Sequence, residues 1–184
     1  AGGVMASSLS VTLDVLATAN RLAPRLAAAG SGVPFESRVL STRGRSVLTG
    51  SGHRFGIDGT LDARRPSPLV VVPGLGLAEP DDVLASLARP ATRRVIDYLR
   101  AAHRRGGTIA ASCSSTFLLA EAGLLDGQAA TTTWWLTPFF RERYPAVALV
   151  TDRMVTASGR TICAGAALAQ LDLMLHLVAR HAGP

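Results

Sequence analysis

Two short runs of the buried-strand type constrain this chain more than any other feature. Leu69-Val70-Val71-Val72 stops at Pro73-Gly74, and Thr108-Ile109-Ala110-Ala111 stops at Ser112-Cys113. Runs of this length without polar alternation suit strands buried on both faces of a parallel sheet. Around them the apolar period turns helical. Residues 7–29 predict a helix, with Leu9, Leu13, Leu16 and Asn20 on one stripe and Pro24 bending or ending its ordered part. Residues 81–88 predict a short helix. Pro90 suits the first turn of the next, which runs to about Arg105 and stops at Gly106-Gly107. Further helices are expected over 114–122 and 134–144. A closing helix is expected over 164–181, with Ala164, Leu168, Leu171, Leu175 and Val178 as its stripe. Strands are expected over 33–41, 47–55 and 129–133, and a hairpin joins 147–150 to 154–157 around Thr151-Asp152. Strands alternating with helices predict an α/β fold: three layers, a mostly parallel sheet and helices on both faces.

Such a domain should open with a strand. Here Ala1-Gly2-Gly3 leads almost straight into helix, so it reads as a strand-to-helix loop whose strand is missing from the chain. The 184 residues fit one domain, 1–184, without repeats or an internal linker. An apolar fraction of 48% against 17% charged residues excludes a disordered chain. No uninterrupted apolar stretch reaches the roughly 18 residues of a membrane span. The most apolar segment, 163–179, carries Gln170, Asp172 and His176. No basic-then-apolar leader marks export, and two lone cysteines suit a reducing compartment, so a cytoplasmic location is expected. Cys113 and Cys163 cannot build a metal knuckle, and neither a metal nor a cofactor is expected. The net charge is +6, and all 19 cations are Arg. They fall in separated pairs (Arg64-Arg65, Arg93-Arg94, Arg104-Arg105), which favours solvated faces over a DNA-binding patch.

The segment with most chemical content is Thr108 to Gly127. A buried strand ends in a small-residue turn carrying Cys113, and a helix follows at once. This is the strand–nucleophile–helix order of a nucleophile elbow. Such a turn lifts its side chain over the carboxyl ends of the strands, where open α/β sheets bind ligands. A helix N-terminus beneath it favours a thiolate. Packing of a small buried residue is the alternative role for Cys113. Gly74, Leu75 and Gly76 follow the other buried strand and can turn backbone N–H groups toward the same crevice. Asp14 on the first helix is the candidate acid. His53, His103, His176 and His181 do not lie at strand ends, so Cys113 lacks an obvious imidazole partner. Trp134 and Trp135 can wall a pocket and hold a cation, although core packing is expected for one of them.

These segments carry a resemblance. Cys113-Ser-Ser-Thr-Phe-Leu-Leu-Ala-Glu-Ala-Gly-Leu-Leu-Asp-Gly127, Ala130-Thr-Thr-Thr-Trp134 and Arg143-Tyr-Pro145 resemble the ThiJ/PfpI superfamily, of class I glutamine amidotransferase-like, flavodoxin-like fold. Leu13 to Asn20, Val71 to Gly74, and Thr161 to Gly165 continuing through Leu171 to Val178 match in the same order. Within that superfamily the chain is most similar to the N-terminal domains of AraC-type transcriptional regulators of the GlxA kind. That resemblance implies a small-molecule effector of the nitrogen-containing metabolite class. It also implies a homodimer, and DNA contact through a helix-turn-helix domain that would follow this one.

The departures from the family's enzymes bear on function. Ser115 stands where they usually have Gly, and Thr133 stands in a position often occupied by His. Ser114 replaces the His that follows the cysteine in PfpI-type peptidases. Ser8 falls where the isonitrile hydratase branch has Asp, and Asp14 where many members have Glu. Hydroxyls bind ligands but do not supply general acid–base catalysis at neutral pH. The favoured reading is a ligand-sensing and dimerising regulator domain. Its degenerate crevice would be formed by Ser8, Asp14, Gly74, Leu75, Gly76, Cys113, Ser114, Thr133 and Trp134. The alternative is a Cys-dependent small-molecule hydratase, lyase or amidase, with Cys113 as nucleophile and Asp14 as acid.

Overall fold

The two apolar runs lie side by side. The computed structural model describes residues 3–26, 35–166 and 168–182. The chain passes through α1 (Ala6–Leu26), β1 (Leu40–Ser41), β2 (Ser46–Leu48), β3 (Arg54–Gly56), β4 (Gly59–Thr60) and β5 (Leu69–Val72). It continues through α2 (Pro80–Leu87), α3 (Pro90–Arg104), β6 (Thr108–Ser112), α4 (Thr116–Glu121), β7 (Ala129–Ala130) and α5 (Thr137–Arg143). The last elements are β8 (Ala148–Leu149), β9 (Val155–Ser158), β10 (Thr161–Ala164) and α6 (Gln170–Ala182). The principal sheet has the order β5-β6-β10-β9. β5, β6 and β10 are parallel, with Val70 opposite Ile109 and Cys163 opposite Ala111; β9 is antiparallel to β10. β1 pairs with β4 and β7 with β8, both in parallel, and β2–β3 is an antiparallel hairpin.

Alternation along β6 and β10 sends neighbouring side chains to opposite faces. On one face Ala110 and Ile162 meet Leu173, Met174 and Leu177 of α6, with Val15 and Leu16 of α1 beside them. On the other, Ile109, Ala111 and Cys163 join the core that holds Leu99 of α3, Phe117 of α4 and Phe140 of α5. This is the expected three-layer arrangement, with helices on both faces of the sheet. Helix α3 ends where expected, at Gly106, whose φ of +87° favours a residue without Cβ.

Several local expectations are corrected. Helix α1 runs two residues past Pro24 rather than ending there; residues 27–34, including Val33, lie outside the described residues. The strand expected over 33–41 is reduced to Leu40–Ser41. Side chains take the backbone partners a ladder would have used. Asn20 bonds both the N–H and the C=O of Phe35 at 2.7 Å, and the Val39 N–H donates to Asp58 Oδ2. The strand expected over 129–133 stops at Ala130. The hairpin expected at 147–157 does not form. β8 pairs with β7, and the hairpin is β9–β10, turning at Gly159-Arg160. The closing helix starts at Gln170, because Thr161–Ala164 is strand. Its buried stripe is Gln170, Leu173, Met174 and Leu177, whereas Leu168, Leu171 and Leu175 are exposed. β5 is only half-buried over Leu69, Val70 and Val71, less than its composition leads one to expect.

Two outcomes follow for stability. Phe117 is fully buried, 4.8 Å from the Phe140 ring and 6.0 Å from Tyr144. Phe117→Ala should cost about 3–5 kcal/mol in urea unfolding; a loss below about 1 kcal/mol would contradict this core. At the end of α4, Glu121 accepts hydrogen bonds from the Tyr144 hydroxyl at 2.7 Å and from Arg143 at 3.1 Å. Burial pushes its carboxyl up, but these bonds and the charges of Arg143 and Arg100 outweigh it, holding the carboxyl below its ordinary range. The contribution is therefore present at neutral pH and lost as pH falls through the depressed folded value. Glu121→Gln should melt lower than wild type at neutral pH, with the gap closing in acid. A gap that persists unchanged in acid would contradict the pairing.

Candidate functional site

β6 delivers the chain to Cys113 at the carboxyl end of the sheet. Cys113 has φ +56°, the one positive φ of a non-glycine residue among the described residues. Such a conformation costs about 1–3 kcal/mol and persists only where its surroundings enforce it. The enforcing bonds are on either side. The Ser114 hydroxyl donates to the Leu75 carbonyl, and the Ser115 hydroxyl donates to the Pro73 carbonyl. The Thr132 hydroxyl donates to the Cys113 carbonyl at 3.1 Å. A 3-10 turn, Cys113–Ser115, then leads into the six-residue α4. The elbow is thereby tied to the loop after β5 and to the segment after β7.

Gly74 lies against this elbow. A Cβ there would sit 3.0 Å from Ser8 Oγ, 3.4 Å from Ser112 Oγ and 3.5 Å from Cys113 Cβ. A Cβ would press on Ser8 Oγ and touch the other two, so these three side chains converge on one point. The Met5 N–H donates to the Gly74 carbonyl at 2.8 Å, and the Gly76 N–H to the Gly3 carbonyl at 3.0 Å. The N–H groups of Gly74 and Leu75 have no acceptor among the described residues. The hydroxyls of Ser8, Ser112 and Thr133 are fully buried, and none has a hydrogen-bond partner among the described residues. Buried hydroxyls ordinarily find partners, and an unpaired one costs about 1–3 kcal/mol.

The structure thus brings Ser8, Gly74, Cys113 and Ser114 into one neighbourhood, with Thr133 one residue from Thr132. Asp14 is not among them. It is exposed on α1, six residues beyond Ser8 and therefore roughly 120° around the helix from it. The Sγ of Cys113 has no hydrogen-bond partner among the described residues, and the side chain is 1% exposed. His103 is in the last turn of α3, at the opposite end of β6 from Cys113. His53 is in the β2–β3 hairpin, bonded to Ser51, and His176 and His181 lie on α6. No group of metal-binding side chains occurs among the described residues. The arrangement can bind a polar group through hydroxyls and N–H donors; it places no titratable partner on the thiol.

Sequence reasoning missed Ser112 and Thr132. Ser112 ends the buried strand, where alternation puts it on the same face as Ala110. The expectation that one tryptophan packs in the core is corrected. Trp134 is 76% exposed and Trp135 40%, with rings edge-to-face at 5.6 Å. Leu136 takes the buried position of that 3-10 turn instead. Cys163 is a core residue facing away from the crevice. Burial pushes its thiol up to about 12, against the opposing pull of the Thr116 hydroxyl and the Thr131 backbone.

Comparison with known proteins places this geometry. The HTH-type transcriptional regulator CdhR of Pseudomonas aeruginosa is 35% identical over 147 residues, covering 79% of this chain and 40% of the regulator. GbdR, an HTH-type transcriptional regulator of the same species, is 29% identical over 177 residues, covering 96% of this chain and 43% of GbdR. The chain therefore spans less than half the length of these curated relatives. Among solved structures, an AraC family transcriptional regulator from Pseudomonas putida matches with a TM-score of 0.75 and 25% identity, covering 97% of this chain and 87% of that one. Drosophila melanogaster DJ-1beta matches with a TM-score of 0.74 and 22% identity, covering 99% and 87%, a likeness of fold. The DJ-1/PfpI family model matches residues 8–180, and the chain belongs to the DJ-1/PfpI family.

Proposed function

We propose that this domain is the ligand-sensing part of a transcriptional regulator, and that the crevice at Cys113 binds a small metabolite without turning it over. The observation that carries this reading is the chemistry around the elbow. Buried hydroxyls of Ser8 and Ser112 without partners among the described residues lie beside Gly74 and Cys113, the Thr133 hydroxyl is likewise buried and unpartnered, and no histidine stands at the elbow. Such a set offers hydrogen bonds and withholds proton transfer. Its similarity to HTH-type and AraC-type regulators supports the same reading. In the parent protein, DNA would be bound through a separate helix-turn-helix domain, in the cytoplasm and as a homodimer. The arginine pairs here are exposed on a loop and at both ends of α3.

The effector is proposed to be a small nitrogen-containing metabolite. Trp134 stands directly after Thr133 and exposes most of its indole, a surface suited to a cationic ammonium. The second reading, a Cys-dependent hydratase, lyase or amidase, draws on the retained φ of +56° at Cys113 and the free N–H groups of Gly74 and Leu75. Both features are also what a bound anionic or carbonyl group would use.

A thermal-shift screen of small amines, amino acids and betaines tests the proposal. A ligand at about a hundred times its Kd should raise the melting point by about 5–10 °C. Gly74→Val, which fills the space between Ser8 and Cys113, should abolish that shift. Trp134→Ala should reduce affinity for a cationic hit by about 2- to 30-fold, with little effect on a neutral one. Turnover of isonitriles, methylglyoxal or small amides that disappears in Cys113→Ser would establish the enzyme reading instead.

A further inference from the structure

The amino ends of the parallel strands gather like charges that the sequence holds apart. Arg64 and Arg65 precede β5, Arg104 and Arg105 precede β6, and Arg160 precedes β10. These strands are parallel neighbours, with Leu69 opposite Thr108 and Thr161 opposite Ile109. The segments that enter adjacent parallel strands lie at one end of a sheet, here the end opposite Cys113. Contacts tie the group together. The Arg105 guanidinium donates to the Arg64 carbonyl, and Arg160 Nη1 lies 3.6 Å from where a Cβ on Gly106 would sit. Arg180, in the last turn of α6, donates to the Gly159 carbonyl at 3.2 Å. All six arginines are exposed, and none is in an ion pair among the described residues. Asp62 is the one carboxylate in the segments 62–68, 103–107, 159–160 and 178–182.

We propose that this pole is a contact surface for duplex DNA, holding the phosphate backbone without reading sequence. Helix ends account for only part of the cluster. Arg104, Arg105 and Arg180 lie at the carboxyl ends of α3 and α6, where the helix dipole favours cations. Arg64, Arg65 and Arg160 sit on loops, where gathered like charges repel and no dipole offsets them. His103 beneath them feels the field: burial first, and then the charge of Arg160, lowers its pKa. The chemistry of the surface selects the partner. No large apolar side chain is exposed in these segments. A protein partner needs an apolar centre to its interface, whereas a phosphate backbone needs only cations in reach. A guanidinium fork also meets two phosphate oxygens at once. The choice of DNA over an anionic lipid surface rests on the regulator reading; the arrangement of charge does not. Such a contact would add to that of a separate helix-turn-helix domain.

Fluorescence anisotropy tests it, with a labelled duplex of arbitrary sequence titrated by the 184-residue chain at salt from about 50 to 200 mM. Contact with three or four phosphates makes the affinity fall by about 40- to 150-fold over that range. Replacing Arg64, Arg65, Arg104 and Arg160 together by Gln should weaken binding at least about tenfold at the low salt and flatten its salt dependence. None of these four side chains makes a hydrogen bond among the described residues, so the fold does not depend on them. Replacing Arg43, Arg45, Arg93 and Arg141 by Gln removes the same charge elsewhere and should weaken binding by less than about threefold. Absence of binding by the unmodified chain at the low salt overturns the proposal. So does an equal loss in the two variants, which would make the attraction one of net charge alone. Tighter binding to phosphatidylglycerol vesicles or to polyglutamate than to the duplex overturns the choice of partner. Each of these failures leaves the regulator reading standing, because that reading fails on turnover at Cys113.

Discussion

The left-handed backbone of Cys113 is the constraint on which the rest of the site depends. It is unfavourable by itself and exists because hydroxyls from Ser114, Ser115 and Thr132 tie three segments together at carbonyls of Leu75, Pro73 and Cys113. Those bonds hold the loop after β5, the elbow and the segment after β7 in one register. Gly74 sits beside them, where a Cβ would crowd Ser8 Oγ at 3.0 Å. Strain of this kind is commonly kept for function. Here the groups around it are hydroxyls, which suits the proposed binding role.

The hydroxyls around the elbow also build its scaffold. By the family resemblance, Ser114 stands where PfpI-type peptidases have His and Ser115 where the enzymes usually have Gly, and the hydroxyls of both are the tethers themselves. Ser8 and Thr133 are buried hydroxyls without partners among the described residues. A polar ligand would relieve that deficit, which links the crevice's stability to its occupancy.

Much of the fold was legible in the sequence because its period was unambiguous. The runs at Leu69–Val72 and Thr108–Ala111, the proline and glycine limits of α3, and the elbow order around Cys113 each had one reading. The failures have identifiable causes. In α6, two stripes fit helical spacing, and the all-apolar one (Leu168, Leu171, Leu175) faces solvent while the one containing Gln170 is buried. Gln170 is accommodated because its amide donates to Thr12 of α1 at 2.8 Å, a tertiary contact no periodicity shows. The β9–β10 hairpin was misplaced because Thr151-Asp152 looks as much like a turn as Gly159-Arg160 does. Around the site, Cys113, Gly74 and Ser8 were legible from motif order. Ser112 and Thr132 became visible only through the geometry of the turn, and the exposure of Asp14 follows from helix phase alone.

The central claim is that the Cys113 thiol lines a binding crevice and is not an activated nucleophile. The rate of its alkylation by iodoacetamide at neutral pH, followed by mass spectrometry and separated from Cys163, measures this directly. The account predicts alkylation at Cys113 at least about tenfold slower than in the unfolded chain, as expected for a thiol that is 1% exposed. Alkylation faster than in the unfolded chain would show an accessible thiolate and contradict it.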